Sequence, residues 1–108
     1  MPQKKLAQGA IGTGAGTLAY TVPSGYKCLV NDIEISNTTA GSLTISLHLV
    51  PVGMAVGTTN MLFPACTLLP YSVMQWTGEQ LLNTGDFIQV IGSGSGLTMN
   101  INGIEDRQ

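Results

Sequence analysis

Charge is what this 108-residue sequence has least of: Asp, Glu, Lys and Arg together make up 9% of it, where soluble domains average about 25%. Thr, Ser, Asn and Gly take their place, and a surface so poor in charge is prone to association. The four cations, Lys4, Lys5, Lys27 and Arg107, are scattered and the net charge is −2. No basic stripe exists to follow a phosphate backbone, so nucleic acid is not an expected partner. One histidine and two cysteines are too few for a four-ligand zinc site, and no metal or other cofactor is expected. Cys28 and Cys66 do not amount to a disulfide framework and are read as buried free thiols. No apolar run reaches the length of a membrane span. The Ala/Gly/Thr-rich stretch after Lys4-Lys5 lacks the apolar centre of a signal peptide, so no membrane partner is expected either.

What is present is one domain's worth of core. Hydrophobic residues make up 44%, enough apolar area to offset the entropy of ordering a single unit but not two. The dominant signal has period two. From Ser42 to Leu49 every odd position is apolar and every even one polar, the pattern of a half-buried strand. Leu97 to Asn102 repeats it, and near the start Leu18, Tyr20 and Val22 alternate with Thr17, Ala19 and Thr21. Tyr26 to Ser36 reads as a long strand with Leu29, Ile33 and Ile35 on one face and Asp32, Glu34 and Ser36 on the other. The turn residues Asn37 to Gly41 then suggest an antiparallel hairpin pairing Ile35 with Leu43, Ile33 with Ile45 and Leu29 with Leu49.

Further strands are expected at Met61 to Leu69, where Pro64 demands an edge or a bulge, at Ser72 to Thr77, and at Phe87 to Ile91 after the turn Asn83 to Asp86. No stretch carries helical periodicity beyond a short turn around Glu79 to Leu82. The expected fold is all-β: an antiparallel two-sheet β-sandwich, the jelly roll being one such architecture. Residues 1–16 read as a glycine-rich N-terminal arm that orders against a neighbour, and residues 17–108 as the β-sandwich domain.

Little of the sequence points to chemistry. Gly12-Thr13-Gly14-Ala15-Gly16 precedes a β-like segment rather than a helix, so it does not make a phosphate loop. His48, the one histidine, is expected to face outward opposite Val30 and diagonal to Asp32, with no nucleophile beside it. Asp32 and Glu34 lie two apart on one strand face, about 7 Å, and offer carboxylates to a sugar or a cation. A solvated face explains them equally, and so short a chain scarcely builds a glycosidase cleft. Trp76 and Tyr71 are candidates for stacking on a sugar, or else core aromatics. Asn37-Thr38-Thr39 fits the glycosylation acceptor pattern but reads simply as a turn. No catalytic residue is expected, and Asp32, Glu34, His48 and Trp76 are the candidate surface or partner contacts.

The string Tyr20-Thr21-Val22-Pro23-Ser24-Gly25-Tyr26 followed by Ile33 to Thr39 resembles a recurring pattern in small virion proteins of tailed bacteriophages. Leu81-Leu82-Asn83-Thr84-Gly85-Asp86-Phe87 and Ile101 to Glu105 are similar to that family's ending, a Leu-x-x-Gly-Asp turn before the last two strands. The resemblance runs from Leu18 to Glu105 and consists of turn-and-strand patterns. It implies a β-sandwich that trimerises and sits on the capsid as a decoration or cement protein, or at a fibre or tail tip. The implied partners are further copies of the chain and the major capsid protein or other virion proteins. The implied location is the virion, after synthesis in the host cytoplasm. The alternative function is a carbohydrate-binding or adhesive module of a phage fibre or tail, with a glycan as its ligand.

Overall fold

The computed structural model describes residues 3–108, and its eight strands divide between two four-stranded antiparallel sheets. The strands are β1 (Lys4–Ala10), β2 (Thr17–Thr21), β3 (Tyr26–Asn37), β4 (Leu43–Val50), β5 (Met61–Leu68), β6 (Val73–Leu82), β7 (Phe87–Gly92) and β8 (Leu97–Arg107). Sheet A has the order β1-β8-β3-β6 and sheet B the order β2-β7-β4-β5. A single 3-10 turn, Thr58–Asn60, interrupts the loop between β4 and β5. The chain is thus the all-β, two-sheet sandwich that the alternation implies.

The core lies between the sheets. Ile33 and Ile35 of β3 and Ile101 of β8 face Ile45 and Leu47 of β4 and Ile88 and Val90 of β7, all at most 1% exposed. Each such side chain contributes on the order of 1.5–3 kcal/mol through apolar area removed from water. These strands are central in their sheets, so one face of each is wholly enclosed and their alternation is clean.

The hairpin expected between β3 and β4 is not formed. β3 pairs with β6 and β8, whereas β4 pairs with β5 and β7. Both strands turn their apolar faces to the core, but they meet across the sandwich instead of along a shared hydrogen-bond ladder. Residues 38–42 carry the chain from one sheet to the other, pinned by Asn37, which is 2% exposed.

Bulges change two of the face assignments. Asn31 is an extra residue in β3 against β8, while against β6 the extra residue lies in β6, at Gly78–Glu79; the phase of β3 reverses there, so Val30 joins Ile33 and Ile35 in the core and Leu29 turns to the outer side. A second irregularity, between Leu18 and Tyr20, leaves Leu18 58% exposed while Tyr20 packs against the core. Gly103 lies opposite the β3 bulge, where a Cβ would collide with the carbonyl oxygen of Leu29; only glycine allows that close approach.

The edges depart from expectation as well. Lys4–Ala10, read as part of an arm, form strand β1 against β8; Met1 and Pro2 lie outside the described residues, and Ile11 to Gly16 connect β1 to β2. Glu79–Leu82, expected as at most a short helical turn, continue β6, with Gln80–Leu82 opposite Cys28–Val30. β5 is an edge strand of sheet B, in keeping with Pro64, with Ala65 at φ 43°. Both cysteines are free, Cys28 buried and Cys66 half-buried.

Candidate functional site

The four residues singled out from the sequence do not converge. Asp32 and Glu34 point outward from sheet A, in register with Asn102 and Asn100 on one side and Thr77 and Gln75 on the other. The Asp32 carboxylate accepts hydrogen bonds from Asn102 Nδ2 at 2.9 Å and Gln75 Nε2 at 3.4 Å. Lys5 Nζ completes this amide-rich face by donating to Asn100 Oδ1 at 3.0 Å. Trp76 belongs to the other side of the same sheet: it is opposite the fully buried Ile33 and half-buried against the core. No aromatic platform therefore stands beside the two carboxylates, and Tyr71, 73% exposed, sits in the β5–β6 turn.

His48 was expected on an open surface near Val30 and Asp32. It instead belongs to sheet B, paired with Gln89 and Met61, and is 3% exposed. Its side chain does leave the core, but loop 51–60 folds over it. His48 Nδ1 meets Gly57 O at 3.1 Å and Asn60 Oδ1 at 2.9 Å. Both are acceptors, so the hydrogen resides on Nδ1, which donates. Asn60 Oδ1 also accepts from Gly57 N, and Asn60 Nδ2 donates to Ala55 O. Asp86 Oδ1 accepts from Val52 N. Three polar side chains thus hold the loop as a shaped element. Removing the ring's hydrogen bonds with His48→Leu is expected to speed amide exchange in residues 52–60 by about tenfold, the equivalent of about 1.4 kcal/mol. The central strands should keep wild-type exchange, measured by hydrogen–deuterium exchange mass spectrometry.

A cluster that the sequence reading passed over closes the side of the sandwich between β1 and β2. Glu105, on β8, has a side chain only 11% exposed. Its carboxylate accepts hydrogen bonds from Tyr20 of the opposite sheet and from Lys4 Nζ at 2.8 Å. The hydrogen bond from Lys4, then that from Tyr20, holds the Glu105 carboxyl below its ordinary range. Burial, reinforced by the bond to Glu105, pushes the Tyr20 phenol up, and burial also raises the nearby Cys28 thiol. A thiol raised in this way is a poor nucleophile, so the arrangement works as a clasp between sheets. The signal for it was present: Leu97, Met99, Ile101, Gly103 and Glu105 share one strand phase, which turns Glu105 inward and obliges it to find partners.

Because the folded carboxyl is more acidic than the unfolded one, the clasp stabilises the protein above the unfolded pKa near 4.3 and is lost as pH falls through the lower folded value. Denaturant midpoints are therefore expected to fall between pH 5 and pH 3, and Glu105→Gln should flatten that fall. Parallel curves for the two proteins would contradict the assignment.

Two surface hollows are small. One, of about 220 Å³, is lined by Leu49, Thr59, Asn60, Met61, Leu62 and Gln80. The other, of about 170 Å³, is lined by Lys27, Cys28, Leu29, Leu81, Ile104 and Asp106. Both fall below the roughly 300 Å³ at which small-molecule sites begin. The larger features are surfaces: the amide-rich face of sheet A, the opposite face of sheet B, and the sandwich ends. At those ends Val52, Met54, Leu69, Tyr71 and Val73 are 55–73% exposed. No protein-family model matches the chain, and comparisons with curated proteins and with solved structures return no match.

Proposed function

We propose that this chain is a structural protein of a tailed-phage virion, a non-catalytic capsid decoration (cement) protein that acts as a homo-oligomer, a trimer, binding and stabilising the capsid surface. The observation that carries the reading is a sandwich that exposes large apolar side chains at both ends while only 9% of its residues are charged. Monomeric surfaces rarely expose apolar patches beyond a few hundred Å² without using them, and stable interfaces bury about 1,200–2,000 Å² in total. The strand order 1-8-3-6 against 2-7-4-5, with β4 and β5 joined within one sheet and the other connections crossing between sheets, supports the jelly-roll form of the sandwich. The resemblance of Tyr20–Tyr26 and Leu81–Phe87 to phage virion proteins points the same way.

Immunogold electron microscopy of purified virions, with antibody against the chain, tests this. Label over the capsid is expected, and its absence from virions would overturn the proposal. Label confined to a tail tip would favour the alternative, an adhesive or glycan-binding module. The outward Asp32, Glu34, Asn100 and Asn102 support that second reading, since they offer hydrogen bonds to sugar hydroxyls.

A further inference from the structure

We infer that the outer face of sheet B, together with loop 51–60, is the surface through which copies of this chain bind one another; the inference rests on the homo-oligomer proposed above. It comes from where the few charges lie. From Ile35 to Gly78 the sequence has no Asp, Glu, Lys or Arg. The fold turns that gap into an asymmetry between sheets. Among the described residues, every charged side chain except that of Asp86 lies on a strand of sheet A, and none lies on β2, β7, β4 or β5. Asp86 is itself 9% exposed, and its carboxylate is occupied by Val52 N and Asn83 N. The two outer faces are therefore unlike: that of sheet A carries Lys5, Asp32 and Glu34 amid amides, whereas that of sheet B carries no charge.

The sheet B face follows from the register. Leu18, Gln89, His48 and Met61 form one row across the four strands, Ile91 lies beside Ser46, and Thr44 lies beside Thr67. Loop 51–60 caps the row over His48 and presents Val52, Met54 and Val56, which are 63%, 55% and 37% exposed. His48, Asn60 and Asp86 hold the loop backbone in shape, so little backbone entropy remains to be lost when those side chains dock.

Size shows why the loop is needed. Four strands about 4.8 Å apart, each presenting about six residues at 3.3 Å, give a flat footprint of about 400 Å², against about 800 Å² per partner in a standard interface. The sheet alone falls short, and loop 51–60 covers part of it over His48, so an interface on this side has to include the loop with its exposed Val52, Met54 and Val56.

The absence of charge also selects the occupant. A face without cations has no attraction for nucleic acid or an anionic bilayer. A partner bearing charges would have to strip their water against groups unable to replace it. Another copy presents the same apolar and hydroxyl-bearing surface, so neither like-charge repulsion nor unpaired charge arises.

Light scattering coupled to size exclusion on the full chain and four variants tests this, with circular dichroism to verify folding. Ser46→Lys and Thr67→Lys place a cation on the sheet B face; Thr98→Lys and Asn100→Lys place one on the sheet A face. The wild-type chain is expected to run as an oligomer and to stay one in both sheet A variants, with association weakened at least tenfold in both sheet B variants. Sheet B variants that keep the wild-type mass would overturn the inference while leaving the homo-oligomer standing. A wild-type chain that is monomeric at every concentration would overturn the homo-oligomer itself. A second measurement needs no variant: on concentration, amide exchange of the wild-type chain should slow in loop 51–60 and sheet B. Slowing confined to sheet A would contradict the inference.

Discussion

Replacing Asn37 with alanine is expected to lower the unfolding free energy by about 2–4 kcal/mol, because one buried amide holds together the end of the sandwich where the chain changes sheets. Asn37 Nδ2 donates to Gly41 O at 2.8 Å and to Leu68 O and Leu69 O, each at 3.2 Å. Its Oδ1 accepts from Thr39 N at 3.0 Å and Thr39 Oγ1 at 2.7 Å. The backbone adds Asn37 N to Ser72 O at 2.9 Å. Alanine removes the side-chain partner but leaves the Leu68 carbonyl buried, and each orphaned buried polar group costs about 1–3 kcal/mol. Asn37→Asp should be more destabilising than alanine at neutral pH, since a carboxylate would face three carbonyl oxygens. Urea titrations at one fixed protein concentration check both variants. The concentration is fixed because an oligomer's apparent stability depends on it. The same geometry disposes of the glycosylation pattern at Asn37-Thr38-Thr39: the acceptor nitrogen is buried and its hydrogens are in use.

The second large effect belongs to the core. Leu47, fully buried at the middle of β4, lies between Phe63 of β5 and Val90 of β7. Leu47→Ala is expected to cost about 3 kcal/mol, combining lost transfer energy with the cavity left behind. Domains of this size are stable by about 5–15 kcal/mol, so this is a large fraction of the total. Thr44→Ala, three residues earlier and exposed, should change stability by less than about 0.5 kcal/mol. Equal midpoint shifts for the two variants would show that β4 does not face the core as described.

These two residues also show what the sequence made legible. Leu47 sits in the cleanest alternation of the chain; of the strands that period two marks most plainly, β4 and β8 are central in their sheets, as is the long β3, whereas β2 is an edge strand. Alternation reports that a face is buried, not what buries it. Alternation therefore suggests a hairpin of β3 and β4, whose apolar faces in fact meet across the sandwich. The edge strand β1 carries a fainter signal. β1 has Ala7 as its one buried residue and gains its place through hydrogen bonds to β8, which leave no mark in hydropathy. The bulges at Asn31 and near Ala19 reverse a strand's phase with no local warning, moving Leu29 and Leu18 to the outside.

The candidate surfaces were legible in part. Asp32 and Glu34 do share the outward face assigned to them. His48 turns away from the core as expected, but its cover is a loop whose placement depends on Asn60 and Asp86. Trp76 takes the core side, one of the two roles open to it. Glu105 was accessible by extending the phase of β8, whereas its partners Tyr20 and Lys4 come from the other sheet and from the far end of the chain.

Whether the chain is a homo-oligomer is tested most directly by the solution mass of the wild-type chain, measured by light scattering across a wide concentration range. A multiple of 11.3 kDa that persists on dilution is expected, three copies being the number proposed. A mass of one chain at every concentration would contradict it, leaving a sandwich with an uncharged face and nothing to cover it.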